Sequence, residues 1–128
     1  MKRTATSIGR EAEEAAAEYL RTKGLEVVTL NWRTRRAEID IIAEKRRKIS
    51  LLRRQTVMHF IEVKYRKSAE FGDGLDYITQ KKLGQLEFAA AEWVSSNSWD
   101  GDYQIDAIAV TGNAIDGWRF DYRPNIIF

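Results

Sequence analysis

Four scarcities narrow what this chain can be. It has no cysteine, which removes disulfides, thiolate nucleophiles and thiolate metal sites together and is compatible with a reducing compartment. It has one histidine, His59, so a zinc site or a Ser/His/Asp arrangement has too few ligands or bases to build on. No glycine-rich phosphate loop is present. No stretch approaches the roughly 20 apolar residues of a membrane span, and the N-terminus, MKRTATSIGREAEEAAAEYL, lacks the apolar centre of a signal peptide. The expected location is the cytoplasm, away from membranes.

What is present belongs to a globular protein. The 128 residues suit a single domain over 1–128, and an apolar share of 44% beside a charged share of 31% is that of a chain that folds. Net charge is only +2, but its sign is unevenly placed. Arg33, Arg35 and Arg36 cluster, and KRRKISLLRR, residues 45–54, carries six cations. Such clusters suit a polyanion, and for 45–54 a solvated hairpin tip is an equal reading.

Periodicity orders the elements. Ile8, Ala12, Ala15, Ala16, Tyr19 and Leu20 recur at helical spacing from Ser7 to Lys23, and Gly24 ends that helix. LEVVTLNW and AEIDIIAE read as antiparallel strands separated by the polar RTRR, and the basic segment 45–55 links the second to TVMHFIEVKY, a third strand. RKSAEFGDGLD has loop composition. Thr79 is an N-cap for a second helix through Leu83, Leu86, Ala90, Trp93 and Val94, which Gly84 weakens by about 1 kcal/mol. SNSWDGD breaks it, YQIDAIAV is a fourth strand and GWRFDYR a short last one. The order α-β-β-β-α-β-β implies an α/β fold with a central mixed sheet flanked by helices.

Alternation along a strand puts Glu38, Asp40 and Ile42 on one face, with Ile39 and Ile41 on the other, and joins Phe60, Glu62 and Lys64 on one face of the third strand. A hairpin centred near Leu51 sets Asp40 opposite Glu62 and Glu38 opposite Lys64. Like charges placed so close destabilise a sheet. A divalent cation, Mg²⁺ or Mn²⁺, relieves them, because Mg²⁺ takes a few carboxylates and keeps waters that a substrate phosphate can replace. An ordinary Glu38–Lys64 ion pair, with Asp40 and Glu62 diverging into solvent, is the rival reading. Phosphodiester hydrolysis fits the first: it builds negative charge on phosphate, which an ammonium such as Lys64 stabilises. A further carboxylate is available from the first helix, where Glu14 and Glu18 fall on the solvent side and Glu11 and Glu13 at the two borders of the apolar stripe.

These residues carry a resemblance. GREAEEAAAEYLRTKG, NWRTRRAEIDIIA, FIEVKYRKSAEFG, ITQKKL and IDAIAVTG together resemble the YraN-like family of bacterial proteins, over nearly the whole chain. That resemblance implies a restriction-endonuclease-like, PD-(D/E)xK fold, similar to archaeal Holliday-junction resolvases. It implies Asp40 as the metal-binding aspartate, Glu62 as the second metal ligand, Lys64 as the catalytic lysine and Glu13 as the carboxylate from the helix. Ile39 stands where the motif's proline would be, Ala37 replaces a glycine usual before E-I-D, Leu83 follows Lys82 where glutamine is common, and Gln104 replaces an arginine, while Asp106 remains.

On the substrate side, Arg33, Arg35 and Arg36 would neutralise phosphates, as would Lys81 and Lys82 at the start of the second helix. Trp32 reads as core in preference to a base-stacking platform. His59 points away from Glu62 by alternation and reads as a packed or surface residue. The expectation is a Mg²⁺- or Mn²⁺-dependent nuclease acting on DNA, branched or otherwise structured, with a homodimer suggested by the resolvase resemblance. The alternative is a nucleic-acid-binding or assembly module that keeps the fold without turnover.

Overall fold

The structure, a computed structural model, describes residues 5–66 and 78–127. Helix α1 (Ala5–Thr22) is followed by strands β1 (Glu26–Arg33), β2 (Glu38–Lys48) and β3 (Arg54–Arg66), helix α2 (Gln80–Ser96), and strands β4 (Asp102–Asn113) and β5 (Gly117–Arg123). The stretch read as a loop after Arg66 lies outside the described residues.

The five strands form one open sheet in the order β1-β2-β3-β4-β5. Neighbours are antiparallel except β3 and β4, which run parallel, as a helical crossover between consecutive strands requires. The α-β-β-β-α-β-β order and the mixed sheet are those expected. Strands β2 and β3 are longer than their apolar pattern suggests: Lys45, Arg46, Arg47 and Lys48 pair with Val57, Thr56, Gln55 and Arg54. The basic segment therefore continues the ladder where a link was expected. Backbone pairing does not depend on side-chain polarity, so a two-stranded ribbon extends past the point where the core ends.

Each helix covers one face of the sheet. Ala12, Ala16, Ala17 and Leu20 of α1 pack with Ile41, Ala43, Ile61, Ile108 and Val110, and Leu86, Ala89, Ala90 and Trp93 of α2 pack with Ile42, Met58, Phe60 and Ile105. α1 stops because Gly24 adopts φ +89°. Its N–H donates to the Arg21 carbonyl while that of Leu25 reaches the Leu20 carbonyl, a Schellman closure that buries Leu25 beside Leu20. Thr79 caps α2, accepting the Lys82 N–H at 3.1 Å as its sequence position suggested.

One expectation about faces fails. Ile39 and Ile41 were expected to share a side, yet Ile41 packs under α1 and Ile39 under α2. The same switch occurs on β1, where Leu30 packs towards α1 and Trp32 towards α2. Between them Asn31 takes φ +52°, a left-handed conformation that asparagine tolerates and most residues avoid. Its place in the register, bracketed by Leu30↔Ile41 and Trp32↔Ile39, sets it beside Asp40. The pleat is reset there on both strands, and Asp40 lies at the reset.

Candidate active site

The β2–β3 ladder begins at Ile41↔Ile61 and keeps this register outward to Lys48↔Arg54. One step in the other direction, Asp40 and Glu62 face each other, the register expected for a hairpin centred near Leu51. The ladder stops here because the Val63 N–H donates to Asp40 Oδ2 at 2.8 Å, so that a carboxylate takes the place of a backbone carbonyl. The strands part, and the two acidic side chains occupy the fork.

Burial sets their chemistry. Glu62 is only 6% exposed, and loss of solvent followed by the nearby Asp40 charge pushes its carboxyl up to about 7. Burial also raises Asp40, opposed by the Val63 N–H and by a hydrogen bond from Glu62. Both carboxyl groups are thus held above their ordinary range, as two close carboxyl groups are when ionising one opposes ionising the other. Lys82 Nζ, from the first turn of α2, lies 3.3 Å from Glu62 Oε1 and partly offsets the repulsion.

Glu13 approaches from α1. Of the two glutamates at the borders of the apolar stripe, Glu13 is the one whose carboxyl is raised by burial and then by the Asp40 charge. Asn31 hydrogen-bonds to it and Arg33 attracts it, but Glu13 Oε2 is buried with no hydrogen-bond partner. Glu14 and Glu18 are exposed, as the helical spacing indicated. Among the described residues, no group of three or more Asp, Glu, His or Cys side chains is arranged to hold a metal ion. The site is thus a pair, Asp40 and Glu62, with Glu13 at its margin.

The cations distribute unequally. Lys64 lies two residues beyond Glu62 on β3, half-buried. Glu38 pairs with Arg33 Nε at 3.5 Å, not as the cross-strand partner of Lys64 that the rival reading required. Arg33, Arg35, Arg36 and Lys82 line one cleft of about 330 Å³ beside the carboxylates. Lys81 is exposed and outside that lining. The arginine turn is held in place: Thr34 accepts the Arg36 and Ala37 N–H groups and donates to Glu92 of α2 at 2.9 Å. Trp32 packs against the α2 cluster, in keeping with the core reading.

A second polar cluster was not anticipated beyond the presence of Asp106. Fully buried Asp106 accepts from Tyr122 Oη and from His59 Nδ1, each at 2.6 Å on Oδ2, and from Gln104 Nε2 and the Asn125 N–H, each at 2.8 Å on Oδ1. These donors outweigh its burial and hold its carboxyl below the usual range, while the Tyr122 hydroxyl is pushed up. Gln104 serves here where the resemblance would put an arginine. His59 is buried in this network. Asn31, Thr34 and Tyr122 left no sequence signal beyond asparagine's tolerance of positive φ and threonine's preference for turns.

Comparison with known proteins places the chain. Residues 12–110 match the profile described as "Uncharacterised protein family UPF0102". A UPF0102 protein of Christiangramia forsetii is 36% identical over 121 residues, covering 94% of this chain and 93% of that one. A UPF0102 protein of Flavobacterium psychrophilum is 35% identical over 103 residues, 80% of this chain and 79% of its own, and one of Chlorobium limicola 37% over 114 residues, 88% and 81% respectively. With its matched span taking in Glu13, Asp40, Glu62 and Lys82, this chain belongs to the UPF0102, or YraN-like, family.

Proposed function

We propose that the protein is a divalent-metal-dependent nuclease of the restriction-endonuclease-like class that hydrolyses phosphodiester bonds in DNA. The observation that carries this reading is the Asp40–Glu62 pair in the fork of β2 and β3, two facing carboxyl groups, both raised by burial, beside a glutamate with an unsatisfied buried oxygen. A structural role gives no reason to keep such an arrangement, since apolar residues of similar volume would stabilise the fork better. Mg²⁺ is commonly held by one or two carboxylates and otherwise by water and substrate phosphate, so the donor set fits that ion, or Mn²⁺, with Asp40 and Glu62 as ligands. A bound divalent cation supplies Lewis acidity, neutralising charge that develops on the phosphate and making water a stronger acid.

The remaining work falls to this chain's side chains. Lys64 holds negative charge on the reacting phosphate. Lys82 keeps Glu62 from being isolated in a poorly solvated fork. Arg35 and Arg36, presented by the Thr34 turn into the cleft, receive the flanking phosphates of the strand. Glu13, through its unpartnered buried oxygen, would accept a hydrogen bond from water held at the site. Branched or structured DNA is the proposed substrate, in line with the resolvase resemblance. A second reading, a nucleic-acid-binding module without turnover, is favoured by one observation: no three metal-ligating side chains are gathered among the described residues.

Cleavage of linear and four-way DNA with Mg²⁺ or Mn²⁺, against EDTA, separates the two. Metal-dependent cutting that falls on the order of 10²–10³-fold in Asp40→Asn is the expected result. Binding without metal-dependent cutting supports the module, and cutting unaltered by the substitution places the chemistry elsewhere. Mn²⁺ should also raise the melting temperature of the parent but not of Asp40→Asn, because a ligand held only by the folded state stabilises it.

A further inference from the structure

Two features of the surface are unused by the proposed chemistry, and they are opposite in charge and alike in having an apolar centre. The first is the tip of the β2–β3 ribbon. Residues 45–54 are exposed throughout, with a turn closed by Ile49 N–H and Ser50 N–H to the Arg53 carbonyl. At its apex Leu51 is 90% and Leu52 100% exposed, with Ile49 beside them at 53%. Lys48 and Arg53 flank this apex in sequence, Arg47, Arg54, Arg46 and Lys45 follow along the ribbon, and the segment holds no acidic residue. Charge alone would keep a tip soluble. Two adjacent leucines at its apex work against that purpose.

The second feature is a groove of about 640 Å³ between α1 and the β4–β5 hairpin. Tyr19, Trp118 and Phe120 make its apolar floor, with Tyr19 and Phe120 stacked at 4.6 Å between centroids. Glu11, Glu14 and Glu18 line its α1 side, spaced three and four residues apart and therefore on one helix face. Glu18 has Arg21 as an ion-pair partner and Lys23 lies over the Tyr19 ring, yet the α1 wall of the groove is acidic. An apolar floor beside acids receives an apolar apex among bases. The tip stays in solvent in its own chain, so the occupant that this complementarity selects is the tip of another molecule.

We infer that the protein self-associates by inserting the Leu51–Leu52 tip of one copy into the groove between α1 and β5 of a second copy. One tip presents far fewer than the roughly 20–30 residues a side of a stable interface. A single insertion is therefore weak, and a reciprocal exchange, each tip in the other copy's groove, closes a twofold dimer with twice the contact. The ion pairs around the rim make association sensitive to salt. This inference does not depend on the nuclease reading.

The absence of cysteine makes a direct test clean. Leu52→Cys and Ala15→Cys, the latter in the groove wall, are prepared separately, mixed and mildly oxidised. A disulfide-linked heterodimer is expected to form faster than from Leu52→Cys mixed with Ser96→Cys, an exposed position at the end of α2. Equal rates overturn the proposal. In sedimentation velocity the parent is expected to shift towards dimer as concentration rises and back as salt is added. Leu51→Asp combined with Leu52→Asp, at exposed positions that folding does not need, should remain monomeric. A parent that is monomeric at every soluble concentration also overturns it. So does a double variant that loses affinity for duplex DNA while its sedimentation matches the parent's, since the leucines would then be a wedge for nucleic acid.

Discussion

Asp106 on β4 and Glu62 on β3 are close neighbours in the sheet, where Ile61 pairs with Asp106 and Glu62 with Ala107. Both are nearly removed from solvent. Asp106 collects four donors and its carboxyl is held low. Glu62 has one cation at 3.3 Å and a second carboxyl group in front of it, and it is pushed up to about 7. Burial is common to the two, so burial alone does not set the direction in which a carboxyl is shifted. The supply of donors does. The Asp106 carboxylate has its lone pairs filled by its own chain, and the unsatisfied buried atom of its network is His59 Nε2, whereas beside the Asp40–Glu62 pair the unsatisfied buried atom is a carboxylate oxygen, Glu13 Oε2.

The largest effect that would break this contrast comes from Asp106. Asp106→Asn puts an amide NH₂ in place of one carboxylate oxygen, against either the Tyr122 and His59 donors or the Gln104 and Asn125 donors, and is expected to cost about 3–5 kcal/mol in chemical denaturation, the range for breaking a buried charged network from one side. Asp40→Asn should cost far less, because it also removes a repulsion. The pH dependence carries the same information. A carboxyl held below its unfolded value stabilises the fold above that value, and the contribution disappears only as pH falls through the lowered native one. The Asp106 network is thus expected to survive mild acid and fail in strong acid. Similar losses for Asp40→Asn and Asp106→Asn would erase the distinction between the clusters.

A smaller effect, of opposite sign, is expected from Glu62→Gln. Glu62 keeps its proton in the folded state up to about 7, whereas an ordinary glutamate gives it up near 4.5. As pH rises through that interval the unfolded chain gives up a proton that the folded one retains, so the parent loses stability with increasing pH. Glutamine does not titrate. In EDTA the variant should match the parent near pH 4 and be more stable by about 3 kcal/mol at pH 8. A variant clearly less stable at pH 8 would mean that attraction to Lys82 outweighs repulsion from Asp40, and the pair would then be an ion-pair site. With millimolar Mn²⁺ the order at pH 8 should invert, because only the parent retains both ligands.

How much of this was legible follows from the range over which each determinant acts. Register could be read because it needs only strand alternation and a turn position, and both were available in AEIDIIA, FIEVKY and the basic turn between them. The border position of Glu13 was equally plain from α1's apolar stripe, but periodicity could not prefer it over Glu11. That choice depends on how α1 lies on the sheet, a tertiary fact. Lys82 was read as a phosphate ligand from its place in a helix's first turn, and its contact with Glu62 depends on the angle at which α2 crosses β3. Asp106 could not be interpreted because its donors come from β3, β4, β5 and the segment after β5. Ile39 was misassigned for a more local reason: alternation presumes an unbroken pleat, and one left-handed residue on the neighbouring strand breaks it.

That residue supplies the smallest effect and the finest discrimination. Asn31 has two functions in the fold: it adopts φ +52°, which resets the pleat, and its side chain hydrogen-bonds Glu13. Alanine loses both, since its Cβ disfavours the left-handed region, whereas glycine loses only the hydrogen bond. Asn31→Ala is therefore expected to be less stable than Asn31→Gly by about 1 kcal/mol, the cost of a Cβ in that conformation offset in part by glycine's greater unfolded-state entropy. Equal stabilities would mean that the hydrogen bond to Glu13 sets the conformation and the site shapes the strand. The expected order makes the strand the cause: backbone geometry at Asn31 turns Asp40 towards the fork, and the donor-poor cluster exists because a sheet with that reset cannot close its ladder past Ile41 and Ile61.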